Sequence, residues 1–414
     1  MTPPEVGSAS GARPAGPELS RGRDLPGWVD PAWMRRALEL AERGWGRVAP
    51  NPLVGAVLVH DGEVVGEGFH GEWGREHAEA VALRRAGDRA AGATLYVTLE
   101  PCAHQGKTPP CTEAILGARV RRVAIGCRDP HAHAAGGATR LRRAGVEVAT
   151  GVKGRSAALL NAPFLWHELT GRPFVALKLG LSLDGRIAAR PGARTPVTGE
   201  RAWRAVHRWR AGFDAVLVGI GTAEADDPRL TARGLPEPRV PPVRIVLDPE
   251  LRLSPDAALA LTALEVPTWV VGGPGADAAR RSNLEARGVS VLAVPAEGDG
   301  GGKGAAGAGG PTRGAPRLDL GSALHAMRAR GIRSLLVEGG ARIGSAFLAA
   351  GLVQRLYLVA APRFLGPDGL AAFDAVPASV PREWRIGERR ALGEDTLLRL
   401  ENRELLRRLA EVVS

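Results

Sequence analysis

The sequence predicts a mixed α/β protein built from two unlike α/β domains, one after the other. The chain has 414 residues, which is enough for two domains that each bury a core. Short apolar runs alternate with helical segments in both halves, and a Gly/Ala-rich stretch at 297–316 cannot form a core, so we predict a surface loop there. We place the domains at 31–171 and 172–402, between a disordered tail at 1–30 and a C-terminal extension at 403–414.

The first domain opens on a helix and a β-hairpin. Asp30 and Pro31 are typical of the N-cap and first position of a helix. The apolar runs within 53–69 are separated by Asp61-Gly62, which predicts two strands joined by a tight turn. The remaining elements are predicted as a helix at 77–85, a strand at 94–99, a helix from Cys111, a strand at 123–127 and a helix at 138–143.

The second domain is predicted as a series of buried strands separated by helices and loops. Each strand is a short run rich in Val, Ile and Leu, which is typical of a largely parallel sheet. We predict these strands at 174–179, 215–218, 243–247, 268–271, 289–294, 334–337 and 355–360.

The composition argues against membrane and nucleic-acid partners. The formal net charge is +11, but the basic residues are nearly all Arg spread along the chain, and aromatic residues are only 4%. A nucleic-acid surface favours clustered basic runs with interleaved aromatics, whereas dispersed basicity suits a phosphorylated small molecule. No apolar run approaches the length of a membrane span, the N-terminal segment lacks a signal-like apolar region, and three cysteines suit a reducing compartment. We therefore expect a cytoplasmic protein.

Four residues of the first domain form a pattern typical of a catalytic zinc site. His77, Cys102 and Cys111 offer one nitrogen and two thiolates, and three protein ligands leave a fourth position for water. Glu79 lies two residues beyond His77, where it can move protons without binding the metal. The alternative is a set of buried cysteines beside an ordinary helix, but the coincidence of H-A-E, P-C and a third soft ligand favours the site.

The strings around these residues resemble a known family. VTLEPCAHQGKTPPC at 97–111, with PNPLVGAVLV at 50–59 and EGFH at 67–70, resembles the deaminase half of the bifunctional riboflavin-biosynthesis deaminase/reductase. The pattern H-x-E followed by P-C is that of zinc nucleobase deaminases. The resemblance implies a cytidine-deaminase-like α/β/α fold and hydrolytic removal of the 2-amino group from a diaminopyrimidinone with a phosphoribosylamino arm. It also implies substrate contacts from Asn51, His104 and Lys107.

Several of these residues have plainer interpretations. Asn51 between two prolines is equally suited to a turn, and His70 is better explained by a strand end than by substrate contact. Lys107 is either solvated or bound to substrate, and its retention in a Lys-poor chain favours the substrate. Cys127 is interpreted as a core residue at the end of a strand.

The loop at 131–138 departs from the family pattern. The family usually continues N-P-x-V-x-G-x-G, whereas this chain reads HAHAAGGA. We expect this loop to affect how the substrate fits. His131 and His133 have no carboxylate partner in the loop, so we interpret them as solvated histidines and not as a second metal site.

The second domain resembles the reductase half of the same family. LKLGLSLDGRIA at 177–188, GIGTAEADDPRLTAR at 219–233 and RIVLD at 244–248 precede VEGGARIGSAFL at 337–348, in which Gly339-Gly340 leads from a strand into a helix. A helix N-terminus of this kind suits a dinucleotide pyrophosphate. The resemblance implies a fold like dihydrofolate reductase and NADPH-dependent reduction of a ribosyl group to ribityl.

Positions matched to the family supply the second site. The implied cofactor residues are Gly180, Thr222, Asp226, Gly340, Ala341, Arg342, Ile343, Gly344, Ser345 and Ala346. The implied substrate residues are Arg210, Leu230, Arg233 and Glu338, of which the two arginines suit a phosphate. The family pattern S-x-W-I-T-S is altered here, since Arg194 and Pro196 replace the Ser and Trp while Thr198 is kept.

The sequence thus predicts a bifunctional enzyme that acts at two successive steps toward riboflavin. We expect one Zn²⁺ per chain, NADPH, a phosphoribosylated pyrimidine substrate, no nucleic-acid or membrane partner, and a homo-oligomer. Two alternatives stay open. One is a deaminase that acts on nucleic acid through a basic second domain, and the other is a deaminase whose second domain is a non-catalytic scaffold, which Arg194 and Pro196 permit.

Overall fold

The computed structural model describes residues 25–104, 109–131, 136–234, 236–298, 317–374 and 384–413. The helices in these ranges are α1 (Pro31–Ala41), α2 (Ala78–Ala86), α3 (Cys111–Gly117), α4 (Gly137–Arg143), α5 (Gly154–Leu160), α6 (Ala162–Thr170), α7 (Glu200–Ala211), α8 (Ile220–Asp226), α9 (Ala258–Leu261), α10 (Ala278–Ala286), α11 (Leu320–Ala329), α12 (Ala341–Ala349) and α13 (Arg403–Val413). None of the helices in those ranges combines the length and apolar character needed to span a membrane.

The strands of the same ranges fall into two large sheets and one small pair. They are β1 (Gly55–His60), β2 (Glu63–Phe69), β3 (Thr94–Leu99), β4 (Arg122–Cys127), β5 (Glu147–Thr150), β6 (Phe174–Leu181), β7 (Arg186–Ala188), β8 (Ala215–Gly219), β9 (Val243–Leu247), β10 (Thr268–Gly272), β11 (Ser290–Ala293), β12 (Ser334–Val337), β13 (Arg355–Ala360), β14 (Leu370–Ala371), β15 (Trp384–Leu392) and β16 (Asp395–Asn402). The pair is β14 with β7.

The first sheet has the strand order β2-β1-β3-β4-β5 and carries helices on both faces. Side chains alternate along β1, so Ala56 and Leu58 pack with α2, α3 and α4, whereas Val57 packs with Met34 and Ala37 of α1. This arrangement is the predicted α/β/α sandwich. The hairpin prediction is confirmed as well, because Asp61 and Gly62 both have positive φ, as a two-residue turn of this type requires.

Small residues let the helices approach this sheet closely. A Cβ on Gly68 would collide with the Ala78 carbonyl oxygen, and a Cβ on Gly55 would collide with that of Ala37. Gly55 of β1 therefore lets α1 lie directly on one face of the sheet, and Gly68 of β2 lets α2 lie directly on the sheet as well. Its N-cap, His77, is held at one end of the first domain.

The second sheet has the order β11-β10-β9-β8-β12-β6-β13-β16-β15. Its strands are parallel from β11 to β13, while β16 and β15 add an antiparallel edge. All seven strands predicted for this domain are present. The strands β15 and β16 are not among them. Most of β15 is exposed and charged, and in β16 the charged Arg399 and Glu401 interrupt the leucines, so neither has the apolar run of a buried strand.

The connections leave β8 and β12 in opposite directions. From β8 the chain passes through α8 to β9 on one side, and from β12 it passes through α12 to β13 on the other. Since the two strands are neighbours, their carboxyl ends flank a topological switch point, where ligands of open α/β sheets bind. The second candidate site lies at this point.

The C-terminal segment predicted as an extension forms α13, and α13 packs against α5 and α6 of the first domain. Leu405, Leu409 and Val412 are buried in a core cluster that includes Trp166 of the first domain and Phe174 of the second. The chain end therefore joins the two domains. Residues 25–30, assigned by sequence to the tail, also pack on the first domain, where the Tyr96 hydroxyl donates to the Trp28 carbonyl oxygen. The remainder of the tail and most of the Gly/Ala-rich stretch lie outside the described residues.

Candidate active sites

The structure brings His77, Cys102 and Cys111 together at the end of the first sheet. His77 is the N-cap of α2, Cys111 is the first residue of α3, and Cys102 follows β3 by three residues. Their ligand atoms all lie within 4.8 Å of one another, and His77 Nδ1 is 3.1 Å from Cys111 Sγ and 3.7 Å from Cys102 Sγ. One imidazole nitrogen and two sulfurs at these distances fit a single Zn²⁺.

The two thiols of the cluster are electrostatically unlike. Cys102 accepts a hydrogen bond from the Cys111 thiol, which lowers its pKa most, and further hydrogen bonds from His77 and from the Cys111 backbone N–H. Together these contacts lower the pKa of Cys102 to about 4. The pKa of Cys111 is raised because it shares its proton with Cys102 and is buried. The cluster thus holds one thiolate ready for a metal, and metal binding would release the second proton.

Glu79 lies on the first turn of α2 and is buried beside the three ligands. Burial raises the pKa of this carboxyl, so its proton is held more tightly than in water. A carboxyl whose pKa moves toward neutrality suits a group that accepts and returns protons. His77 Nδ1 faces the two sulfurs, and Glu79 reaches the cluster from the same helix end.

Asn51 and His70 form a second layer behind the metal cluster. His70 Nδ1 is 3.0 Å from the Glu76 carbonyl oxygen, so Nδ1 carries the proton, and Nε2 accepts from Asn51 Nδ2 at 3.2 Å. Burial lowers the pKa of His70, which keeps the ring neutral in this tautomer. The rings of His70 and His77 are 5.7 Å apart, so Asn51 is held near the cluster by a defined hydrogen bond.

Of the other two predicted substrate residues, His104 is exposed and lies two residues beyond the metal ligand Cys102. Lys107 lies outside the described residues.

The altered loop is joined to the metal segment through its glycines. A Cβ on Gly137 would collide with the Pro101 carbonyl oxygen, directly before Cys102. The buried Glu100 carboxylate accepts from the backbone N–H of Ala138 at 2.9 Å. Sequence reasoning missed both contacts, although the Gly-Gly pair was the available signal. Residues 132–135, including His133, lie outside the described residues.

The second candidate site lies between the carboxyl ends of β8 and β12. A Cβ on Gly219 would lie 2.6 Å from Ile343 Cγ1, and a Cβ on Gly340 would lie 3.3 Å from Thr222 Oγ1. Gly340 is the N-cap of α12 and has no side chain to bind the first N–H groups of that helix. These N–H groups and the adjacent Thr222 hydroxyl fit the pyrophosphate of a dinucleotide.

The remaining predicted cofactor residues lie around this crevice in different environments. Gly180 faces Thr198 Cγ2, which would be 3.1 Å from an added Cβ. Gly344 faces the apolar core, and the Ser345 hydroxyl accepts from the backbone N–H of Asp374 at 2.8 Å. Ala341 is buried, whereas Arg342 and Ala346 are exposed.

Asp226 ends α8 at the same crevice, and burial raises the pKa of its carboxyl. Arg194 opposes this effect on the pKa of Asp226, as does Lys178. The arginine that replaces the family serine therefore lies close enough to Asp226 to act on its charge.

Arg210 and Glu338 form a paired unit at the floor of the crevice. Arg210 Nε and Nη2 donate to the two Glu338 oxygens at 2.6 and 2.9 Å, and Nη1 donates to the Thr231 carbonyl oxygen at 3.0 Å. Burial alone would raise the pKa of Glu338, but the charge and hydrogen bonds of Arg210 lower it below its usual value. Because three nitrogens of Arg210 are occupied within the protein, Arg210 is better suited to orient Glu338 than to bind a phosphate.

Lys178 is half-buried near this pair and was not among the predicted site residues. Burial lowers the pKa of its ammonium group, while Glu338 and Asp226 raise it and Arg210 lowers it further. The signal that could have placed it in the site is its position directly after Leu177, which pairs with Val337 of β12 beside Glu338.

Leu230 and Arg233 lie on the loop that follows α8. Leu230 is buried with a positive φ of 49°, which turns the chain toward the crevice. Arg233 is exposed, its Nε donates to Thr231 Oγ1 at 3.1 Å, and its backbone N–H donates to His207 Nδ1 at 3.0 Å. Arg233 is therefore the predicted arginine whose guanidinium faces solvent at this site.

Two family models match the chain. Residues 29–127 match the cytidine and deoxycytidylate deaminase zinc-binding region, and residues 173–398 match the RibD C-terminal domain. These two segments contain the metal cluster and the second crevice, respectively.

Curated proteins and solved structures with the same name are similar over most of the chain. The riboflavin biosynthesis protein RibD of Bacillus amyloliquefaciens is 40% identical over 81% of this chain and 85% of its own length. That of Escherichia coli K12 is 38% identical over 90% and 99%. The structure of Acinetobacter baumannii RibD covers 90% of this chain and 98% of its own, with 37% identity and a TM-score of 0.72. A Thermotoga maritima structure described as a diaminohydroxyphosphoribosylaminopyrimidine deaminase/5-amino-6-(5-phosphoribosylamino)uracil reductase has the same coverage, 33% identity and a TM-score of 0.73.

Proposed function

The chain belongs to the RibD family of riboflavin biosynthesis proteins, and from this premise we propose how its residues divide the work of two reactions. It is a bifunctional enzyme of riboflavin biosynthesis, with a zinc-binding deaminase domain followed by a reductase domain. The observation that carries the first assignment is the convergence of His77, Cys102 and Cys111 beside the buried carboxyl of Glu79. Zinc and NADPH are the cofactors that these two domains imply.

We propose that the first substrate is 2,5-diamino-6-(5-phosphoribosylamino)pyrimidin-4(3H)-one and that its deaminated product is the substrate of the reductase. The description of the Thermotoga maritima relative supports this pair of reactions. The alternative of a nucleic-acid deaminase has less support, because the reductase segment accounts for the second domain.

In the deaminase, His77, Cys102 and Cys111 would hold the metal. Bound zinc would lower the pKa of a water molecule at its open fourth position. Glu79 accepts the proton of the attacking water and returns it to the amine that leaves as ammonia, a role supported by its raised pKa and its position beside the ligands. Asn51, oriented by neutral His70, holds the pyrimidine edge, and His104 and Lys107 contact the substrate.

In the reductase, NADPH would supply a hydride to the open-chain form of the ribosyl group. The N-terminus of α12 with Thr222 binds the pyrophosphate, and Gly180 and Asp226 line the crevice beside it. Arg210 keeps Glu338 ionised and oriented near the ammonium group of Lys178. Exposed Arg233 binds the substrate phosphate.

We also propose that the protein works in the cytoplasm as a homo-oligomer. The three cysteines are free, which suits a reducing compartment. Light scattering at micromolar concentration measures the assembly directly.

One two-armed experiment tests these roles. Glu79→Gln keeps the size of the side chain but cannot accept a proton, so we expect ammonia release to fall about 10²- to 10⁴-fold. Zinc content should stay near that of the unaltered protein, because Glu79 is not a ligand. NADPH consumption with the deaminated intermediate should also be unchanged and serves as the control for folding.

Unchanged ammonia release in Glu79→Gln would refute the proton-transfer role. The second arm measures NADPH consumption by the unaltered protein with the deaminated intermediate. If none is consumed at saturating cofactor, the second domain is a scaffold and the two-step proposal is wrong.

A further inference from the structure

The reductase domain contacts the loop of the deaminase domain that carries Asn51. This loop, residues 45–51, lies against the C-terminal end of α7, where Trp45 Nε1 donates to the Arg208 carbonyl oxygen at 2.7 Å. A Cβ on Gly212 would collide with the Trp45 ring, so the two domains approach each other closely here. A small cleft runs along this boundary, and Trp45, Asn51 and Gly212 are among its lining residues.

Arg239 makes the most extensive contacts to the 45–51 loop. Its backbone N–H donates to the Gly46 carbonyl oxygen at 2.9 Å, and its Nη2 donates to the Ala49 carbonyl oxygen at 2.7 Å. The guanidinium carbon also lies 5.0 Å from the centroid of the Trp73 ring, within the range of a cation–π contact. One residue of the second domain therefore holds two separate segments of the first.

Both segments lead directly to the metal cluster. Ala49 precedes Pro50 and Asn51, and the Asn51 amide donates to His70 Nε2 at 3.2 Å. Trp73 begins the segment that ends at His77, and its backbone N–H donates to the Arg47 carbonyl oxygen at 3.2 Å, which ties this segment back to the 45–51 loop. Arg47 also pairs with Glu72, which joins the two segments at a second point.

We propose that Arg239 is a positioning residue for the deaminase, supplied by the reductase domain. By fixing the Ala49 carbonyl and the Trp73 ring, it sets the place of Asn51 relative to the metal ligands. Arg239 touches neither the metal cluster nor Glu79 and acts through the 45–51 loop. The inference rests on the proposed role of Asn51 at the pyrimidine edge, and it makes the reductase domain part of the deaminase's binding site.

Steady-state ammonia release by full-length Arg239→Ala tests this inference. The change removes one hydrogen bond to a charged group and one cation–π contact, so we expect KM for the diaminopyrimidinone to rise about five- to thirty-fold. We expect kcat to stay within about two-fold, because the metal ligands and Glu79 are untouched. Arg239→Lys keeps a cation and a donor and should recover part of the loss.

Arg208→Ala is the matched control. It removes the side chain of another arginine of the same domain boundary, whose Nη2 lies 3.4 Å from Glu42 Oε2. The backbone carbonyl oxygen that accepts from Trp45 Nε1 is kept in the alanine variant. We expect its KM to equal that of the unaltered protein.

An unchanged KM in Arg239→Ala would overturn the proposal. A fall in kcat alone would overturn it too, because that is the result expected when the substitution only reduces the fraction of folded protein. An equal rise of KM in Arg208→Ala would also overturn it, because the effect would then belong to the whole boundary. Failure of the proposed function is distinguishable, since the unaltered protein would then release no ammonia from this substrate.

Discussion

His207 is a buried histidine that supports the loop carrying Arg233. Its Nδ1 accepts the backbone N–H of Arg233 at 3.0 Å, and its ring lies 4.1 Å from that of Trp203. Burial, together with the charge of Arg210, lowers the pKa of His207 to about 4. The ring is therefore neutral at pH 7 and keeps an acceptor for the loop.

Acidification should destabilise the protein through His207. The folded-state pKa lies below the unfolded value of about 6.5, so the unfolded chain binds more protons between these values and stability falls as pH drops from about 6.5 toward 4. His207→Asn offers an amide oxygen in place of Nδ1 and does not titrate. We expect the free energy of unfolding, measured with urea, to fall between pH 7 and pH 5 in the unaltered protein. In His207→Asn the fall over the same interval should be smaller by about 1 kcal/mol. Equal losses would show that His207 is not the titrating group.

Single residues differ in how far the sequence predicts their role. His77, Glu79, Cys102 and Cys111 were predicted as one site because residue type and spacing are enough to define zinc chemistry. Arg210 was expected at a phosphate, but its partner Glu338 lies 128 positions away, and no local pattern reveals such a pair. Arg239 was missed for the same reason, since it contacts Ala49 across 190 positions.

At the scale of elements, glycine sets how closely helices and loops approach the metal segment. The altered loop before α4 departs from the family pattern and places Gly137 against the Pro101 carbonyl. Glu100 binds the backbone at Ala138 and fixes the start of α4 beside the segment of Cys102. The chain thus makes a close contact through residues that a motif comparison identifies only as a mismatch.

Gly137→Ala should weaken zinc binding. The added Cβ would collide with the backbone oxygen of Pro101, so the segment that carries Cys102 must shift. We expect zinc affinity, measured by competition with a chelator, to fall about ten-fold or more, which is the effect of disturbing the support of a metal ligand. Gly117→Ala is the control, because Gly117 ends α3 of the same domain with nothing within 4 Å of an added Cβ. Unchanged affinity in Gly137→Ala would contradict the close contact.

Strands were predicted where they form apolar runs and missed where charged residues interrupt the run. The seven strands of the second sheet's parallel part are mainly apolar, whereas β15 reads WRIGERRAL and is exposed over most of its length. An edge strand of this kind takes its pairing from β16 and not from a buried apolar face. Residues 403–414 were likewise predicted only as an extension, because the surface on which α13 packs is formed by residues far away in the sequence.

At the scale of the whole molecule, one apolar cluster unites the two domains. It includes Trp166 of α6 and Phe174 of β6, and α13 closes it from the C-terminal end. Arg355 of β13 adds a polar link, since its Nη2 donates to the Leu159 carbonyl oxygen of α5 at 3.0 Å. The domains are therefore expected to unfold together, even though each carries its own active site.

Leu409→Ala tests this shared core. Leu409 is 2% exposed on the face of α13 that packs on α5 and α6, and removal of such a side chain costs about 2–5 kcal/mol of unfolding free energy. Because the cluster spans both domains, we expect the inactivation temperatures of ammonia release and NADPH consumption to fall together. Arg407→Ala, on the exposed face of the same helix, should leave both within error. If only one activity became heat-sensitive in Leu409→Ala, the domains would be independent folding units and α13 would belong to one of them alone.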